Sequence, residues 1–347
     1  MDRSLYRRLG DYIEPYSEKN TGLKVSLSQG INNNKYFQTP RQVAQNSEND
    51  QIVRRGQFAY NKATTRNGEK ISIAYRDEQD CTVSSAYQVF YITDEEKLNP
   101  FYLLLWFKRP EFDRYARFKS HGSAHEFFTW EEMCNVMLPV PPIEEQRRIV
   151  SEYQTVEHRI ANNEALIQKL EETAQAIYHH TFVEGIDEEN LPEGWRKGCL
   201  EDIAIIIMGQ SPNGNSLNEE GRGDIFYQGR TDFGFRYPNV RVFSEASTRY
   251  AEQKDILMSV RAPVGDLNIA NAKIAIGRGI ASIKPTKVST KYLFYLLQAN
   301  RSKFLTSSAG TIFDSINKDA LASVQLDIHS GNEQLHIVNT MLFHFFF

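Results

Sequence analysis

No stretch of this chain reaches the ~18 apolar residues that a membrane span needs, and Met1-Asp2-Arg3 is followed by no apolar run. The expectation is a protein that stays in the cytoplasm. Cysteine is scarce: Cys81, Cys134 and Cys199 are odd in number, far apart and without metal-ligand spacing, which argues against a disulfide framework or a zinc site and predicts buried thiols. Neither the Asn-Pro-Pro-Tyr nor the Asp-Pro-Pro-Tyr run of an amino-methyltransferase occurs, and no Gly-x-x-x-x-Gly-Lys phosphate loop does. An excess of positive charge is missing too. The formal net charge of −4 argues against a protein that coats nucleic acid indiscriminately, while leaving room for a local basic face. What remains is ordinary globular material, 347 residues with 41% hydrophobic and 24% charged, long enough for two domains with separate cores.

The dominant feature is the stretch from Pro142 to Glu184. Ile149, Tyr153, Val156, Ile160, Asn163, Ile167, Leu170, Ala174, Ile177 and Thr181 fall at alternating steps of four and three, a heptad seam. Pro141 and Pro142 open the helix where a missing N–H costs least, Glu144 and Glu145 sit at its positive pole, and Gly185 stands where it stops. At 1.5 Å per residue it spans roughly 64 Å, longer than a small domain is wide. An amphipathic helix of ordinary length is core packing. This length and regularity, with polar Asn163 in the seam, instead predict a rod that spaces two bodies apart or pairs with another helix.

Around the rod lie two mixed regions. Residues 1–141 hold strand-like segments at Lys24 to Ser28, Gln57 to Lys62, Ile71 to Tyr75 and Ala86 to Thr93, a turn at Arg66-Asn67-Gly68, and a helix from Phe101 to Lys108 capped by Asn99-Pro100. Residues 142–185 are the rod, 186–329 a second mixed domain opening through a polar linker and Leu191-Pro192-Glu193-Gly194-Trp195, and 330–347 the start of a distal helix. The second domain echoes the first. Glu145-Gln146 and Ile149-Val150 reappear as Glu333-Gln334 and Ile337-Val338, and 333 − 145 and 337 − 149 both equal 188. Gly122-Ser123 matches Gly310-Thr311, and Val136 and Leu138 match Val324 and Leu326, at the same offset; Leu9-Gly10-Asp11 resembles Leu200-Glu201-Asp202, and Tyr102-Leu103 resembles Tyr292-Leu293. The predicted fold is α+β, two duplicated mixed domains separated by a long coiled-coil helix.

Two related but non-identical globules held apart by a rod suit a target with two different half-sites. DNA is such a target, and the rod would act as its ruler. At this point the chain resembles the specificity subunit of type I restriction-modification systems. The resemblance rests on the proline-led Glu145-Gln146-Arg147-Arg148-Ile149-Val150 and the heptads after it, on Leu191-Pro192-Glu193-Gly194-Trp195, Gly209-Gln210-Ser211-Pro212 and Gln228-Gly229-Arg230-Thr231-Asp232-Phe233, and on the doubled layout. It implies that each globule is a target-recognition domain reading half of a bipartite duplex sequence. It also implies that the helix docks modification subunits and, through them, restriction subunits, and that S-adenosylmethionine is held by the modification subunit. The expectation for this chain is therefore a non-catalytic targeting subunit without a cofactor of its own. The docking residues would be Ile149, Tyr153, Val156, Ile160, Ile167 and Leu170, and the same seam could join two copies. Where the family continues its second repeat into another long helix, this chain reaches Ile337-Val338 and then His344-Phe345-Phe346-Phe347. The expectation is that this second helix is largely missing.

Base reading needs forked donors or paired donor and acceptor groups on loops after strands: arginine for guanine, asparagine or glutamine for adenine. In the second domain Arg230, Arg236, Arg261 and Arg278 fit, with Gln210, Asn213 and Gln228 beside them and Thr311 from the repeated Gly-Thr pair. Arg261 is the strongest candidate, since a turn directly after the apolar Ile256-Leu257-Met258 strand projects it outward. In the first domain Asn61, Lys62, Arg66, Lys119 and Ser123 take the comparable part. Each could equally be a phosphate contact, because half or more of protein–DNA hydrogen bonds go to the backbone. Gly277-Arg278-Gly279 precedes Ile283-Lys284-Pro285 and no helix, which predicts strand packing over nucleotide binding. His121 and His125, without a third ligand nearby, are structural or phosphate contacts, and His179-His180 carries no assigned role. The competing class is a coiled-coil scaffold whose globules bind proteins; a self-contained methyltransferase lacks its motifs.

Overall fold

Strand Gln57–Asn61 shows how the first globule is built. Phe58 and Tyr60 point into one core and Ala59 into another, so both faces of the sheet are covered and the strand reads as apolar throughout. Strand Ile256–Ser259 repeats the arrangement, with Ile256 and Met258 in one core and Leu257 in a second.

The computed structural model describes residues 3–40, 47–63, 70–120, 126–187, 189–306 and 315–329. The chain divides into two units, residues 1–162 and 163–347. The first contains β1 (Tyr6–Arg8), β2 (Ile13–Tyr16), β3 (Gly30–Ile31), β4 (Phe37–Gln38), β5 (Gln51–Val53), β6 (Gln57–Asn61), β7 (Ile73–Tyr75), β8 (Cys81–Val83) and β9 (Tyr87–Ile92). Helices α1 (Pro100–Phe107), α2 (Pro110–Lys119) and α3 (Trp130–Cys134) follow, then β10 (Met137–Pro139) and the first half of α4 (Ile143–Phe182). Its main sheet is antiparallel in the order β2-β9-β6-β7; β1 pairs with β10, and β5 with β8.

The second unit takes the rest of α4, then β11 (Trp195–Cys199), β12 (Ala204–Met208), β13 (Leu217–Asn218), β14 (Asp224–Tyr227), β15 (Val242–Ser244), β16 (Tyr250–Ala251) and β17 (Ile256–Ser259). After these come β18 (Leu267–Ile269), β19 (Ile274–Ile276), β20 (Ile280–Pro285), α5 (Thr290–Ala299), α6 (Arg301–Thr306), α7 (Lys318–Ala322) and β21 (Gln325–His329). Its main sheet is antiparallel in the order β12-β20-β17-β18, the same path as in the first unit, and β11 pairs with β21 as β1 does with β10.

The duplication extends to single hydrogen bonds. Leu9 N donates to the Val136 carbonyl at 2.8 Å, and Leu200 N to the Val324 carbonyl at 3.3 Å. Asn99 caps α1 by accepting from Tyr102 N, and Ser289 caps α5 by accepting from Tyr292 N. The Tyr102 hydroxyl donates to the Pro139 carbonyl, and the Tyr292 hydroxyl accepts from His329 N, so each ties its helix to the last strand of its unit. What differs is the second layer. Residues 217–276 build a five-stranded sheet, β13-β15-β14-β19-β16, where the described residues of the first unit form two-stranded ribbons, β3-β4 and β5-β8.

Helix α4 runs unbroken, as its heptads require, but the seam is used unevenly. Val150 is buried in the first unit's core with Ile149 packed against it, and Ala174, Tyr178 and Phe182 are buried in the second's. Between them Tyr153, Val156, Ile160 and Ile167 are exposed. The anchoring set 171, 174, 178 and 182 drifts off the heptad set, because a straight helix lying on one globule follows 3.6 residues per turn instead of 3.5. Tyr178 and Phe182 therefore do the packing that the heptad pattern assigned to Ile177 and Thr181.

Two other expectations are corrected. Lys24 to Ser28 forms no strand, because the Asn20 side chain pins it as a loop, its amide donating to the Val25 carbonyl at 2.9 Å and its oxygen accepting from Val25 N at 3.0 Å. Cys81 is buried, but Cys134 and Cys199 are only half-buried. The Arg66-Asn67-Gly68 turn and the distal helix at 330–347 lie outside the described residues. No helix among the described residues is long and apolar enough to cross a membrane, and no cluster among them could hold a metal ion.

Candidate nucleic-acid interface

Strand register decides which loops meet. Met208 pairs with Ala281, Ser259 with Ile280 and Met258 with Leu267, so the ends of β12 and β17 and the starts of β18 and β20 lie at one edge of the sheet. Three motifs far apart in sequence close there into one cluster. Gly209 N donates to the Ile280 carbonyl, Gln210 N to Ile276, Gly277 N to Tyr227 and Gly279 N to Gln228. A Cβ on Gly209 would collide with the Gly277 carbonyl, and one on Gly279 would come within 2.6 Å of the Gln228 carbonyl. These glycines are there for close backbone approach, so Gly277-Arg278-Gly279 is a packing element as its sequence context implied. Ser211 Oγ binds the Gln228 amide and accepts from Arg278 N at 3.2 Å, leaving Gln210, Gln228 and Arg278 exposed on the outer side.

Arg261 lies on the adjoining loop and is exposed, with no ion pair among the described residues. Its loop is folded around the fully buried Ser259, whose hydroxyl donates to the Pro263 carbonyl at 2.7 Å and accepts from Asp266 N at 2.9 Å. Arg278 is likewise exposed without an ion pair among the described residues, so the two present uncompensated guanidiniums at one edge. Asn213 is exposed and caps a short 3-10 turn, its side chain accepting from Asn215 N.

Arg236 contradicts its expected display. It is 9% exposed, ion-paired with Glu171 of α4, and its guanidinium lies 4.6 Å from the centre of the Phe294 ring. Burial raises the phenol of Tyr295 well above its usual value, so it stays neutral and donates to Glu171 at 3.3 Å. Arg236 holds the second globule to its helix. The tripeptide Phe235-Arg236-Tyr237 carried no sign of this, since the carboxylate that pairs it is 65 residues away. Arg230 is exposed but ion-paired to Asp266, which also takes Arg301. Arg301, Asp266 and Arg249 were missed by sequence reasoning. Arg249 is exposed beside Thr248, whose hydroxyl reaches Gln210 at 3.3 Å, and only the polar run Ser247-Thr248-Arg249 could have signalled it.

In the first unit the equivalent edge carries Tyr16, Asn61, Ile73 and Tyr87. Asn61 accepts from Ala63 N at 3.0 Å and turns the chain, and the Lys62 carbonyl accepts from Phe128 N, which brings the loop after α2 alongside. Lys119, at the end of α2, is half-exposed and 3.6 Å from Glu132. Arg66, Ser123 and Thr311 lie outside the described residues, as do His121 and His125.

The comparisons with known proteins agree in direction. The family model described as the type I restriction modification DNA specificity domain matches twice, over residues 7–172 and 192–342. The MjaX type I restriction enzyme specificity subunit, as that protein of Methanocaldococcus jannaschii is named, is 31% identical over 264 residues, covering 72% of this chain and 62% of the relative. The MjaIX specificity subunit of the same organism is 27% identical over 168 residues, 45% of this chain and 39% of its own length. The chain thus spans under two thirds of the length of these relatives. In fold, it resembles a crystal structure of a type I restriction-modification S subunit from M. genitalium, with a TM-score of 0.62 at 13% identity, covering 99% of this chain and 90% of that one.

Proposed function

Because the chain belongs to the type I restriction modification DNA specificity family, we propose that it is the non-catalytic subunit that gives such a system its DNA target, each globule reading one half of a bipartite duplex sequence. The observation that carries this reading is the repeated main sheet, β2-β9-β6-β7 and β12-β20-β17-β18, bearing different loops at the same edge. One frame with two sets of outward side chains is what two unlike half-sites demand. Arg261, Arg278, Gln210 and Gln228 supply the donors and acceptors of the second reading edge and Asn61 those of the first, with Lys62 beside it meeting the phosphate backbone. The exposed seam of Tyr153, Val156, Ile160 and Ile167 docks the modification subunits, and through them the restriction subunits, while the helix length fixes the gap between half-sites. Ile149, packed on the first unit's core, and Leu170 are both half-buried, so they offer less surface than the four exposed positions.

The test is selection from a pool of random-sequence duplex by the full chain with its modification subunits, followed by sequencing of the bound fraction. Two short conserved blocks at a fixed gap are expected, with affinity falling as salt rises. A protein scaffold has no reason to enrich any sequence, and a flat pool would establish that alternative.

A further inference from the structure

Asp266 is one carboxylate serving two arginines. Arg230 and Arg301 both pair with it, one from the turn after β14 and the other from the start of α6. The acid is only 19% exposed in its side chain, whereas the arginines are 57% and 47% exposed, so negative charge lies inside and the guanidiniums face out. One positive charge is left over. Guanidinium offers donors and no acceptor, so the outer face of this fork takes acceptor groups, and its surplus positive charge favours an anion among them.

The fork is rigid. Asp266 is set by the Ser259 hydroxyl, its neighbour Gly265 has φ +88, and a Cβ on Gly265 would come 3.2 Å from Arg301 Cγ. A side chain at this position would strain the backbone and press on the arginine stem. Arg230 commits its Nε to Asp266, which removes the Nε edge from the pair of donors it could offer a base. Beside the fork runs a groove of about 530 Å³ lined by Arg230, Arg301, Gly234 and Phe235.

We propose that Arg230 and Arg301, oriented by Asp266, grip a backbone phosphate of the duplex, so that Arg230 positions the second globule and reads no base. This rests on the DNA-reading function proposed above. Asp266 is a positioning residue: it holds both guanidiniums in the gripping arrangement and does not touch DNA.

The test uses the full chain with its modification subunits, titrated into random-sequence duplex and into duplex selected from the pool, at several salt concentrations. Arg301→Ala and Arg230→Ala should each weaken both duplexes by the same factor and lower the slope of log affinity against log salt by about 0.9, while Arg301→Lys keeps the slope. Asp266→Asn should weaken binding although it removes a negative charge. Melting curves matching the parent exclude misfolding as the cause. A shift in selected bases with Arg230→Ala, an unchanged slope, or tighter binding by Asp266→Asn would each overturn the fork. If the parent protein itself binds no duplex, the DNA-reading function falls first; parent binding with unaffected variants removes the fork alone.

Discussion

The two units share a frame and differ in how they hold α4. In the first, Lys108 lies over the Tyr36 ring at 4.5 Å and 3.6 Å from Glu157, whose side chain is 43% exposed. In the second, Arg236 and Glu171 meet with side chains 9% and 12% exposed, under Phe294 and Tyr295. The frame is fixed by apolar positions common to both, Leu9 and Leu200, Leu138 and Leu326, Leu103 and Leu293, all buried. The polar anchors differ in burial, and burial decides what each is worth. The comparison breaks if the carboxylates are truncated. Glu171→Ala leaves a buried arginine uncompensated and should cost roughly 3–5 kcal/mol. Glu157→Ala removes a solvent-facing carboxylate worth at most about 1 kcal/mol, and Lys108 keeps the Tyr36 hydroxyl as a partner. Denaturant titration followed by hydrogen exchange should show protection lost around α5 for the first variant and little change for the second. Equal losses would mean the two anchors are equivalent after all.

A second contrast lies within α4, between its packed ends and the exposed Tyr153, Val156, Ile160 and Ile167. Burying a Val or Ile side chain is worth roughly 1.5–3 kcal/mol, so a partner helix covering several would gain substantially. The isolated chain should self-associate at micromolar concentration, and Ile160→Ser with Ile167→Ser should return it to monomer in a sedimentation experiment. A parent protein that sediments as a monomer would show that the seam needs a different partner.

The frame was legible because it is written in apolar spacing. The heptads gave α4, the Asn99-Pro100 cap gave α1, and the fixed offset of 188 gave the repeat that the strand orders reproduce. The exposure of Arg261 followed from a turn after an apolar strand. What could not be read were pairings between distant segments: Glu171 burying Arg236, Asp266 collecting Arg230 and Arg301, Asn20 unmaking a strand. A solvent-facing arginine and a buried one look alike until the partner's position is known. The glycine motifs sit between these cases, since their spacing hinted at packing but not that three of them meet.

That meeting yields a third contrast. Gly209 is enclosed by the Gly277 backbone, while Gly30 in the first unit has no atom nearer than 3.9 Å to a new Cβ. Gly209→Ala should destabilise the second unit by about 1–3 kcal/mol through overpacking, and Gly30→Ala by far less. Thermal melting separates them, and similar melting points would show that the loop cluster yields without cost.

The smallest expected difference is between the two reading edges. Arg261 is exposed on a loop braced by a buried serine, and Lys62 lies where the chain leaves β6 with its carbonyl held by Phe128. An arginine on a braced loop can meet guanine with two donors, whereas a lysine is a flexible point charge better suited to phosphate. In the complex with its modification subunits, Arg261→Ala should weaken the selected duplex by roughly 1–3 kcal/mol more than random duplex, and relax the choice at one base position. Lys62→Ala should weaken both duplexes alike and lower the salt slope by about 0.9. Equal losses on both duplexes for Arg261→Ala would demote it to a phosphate contact and leave Arg278, Gln210 and Gln228 as the second edge's readers. A sequence-selective loss for Lys62→Ala would instead make the first edge the more discriminating of the two.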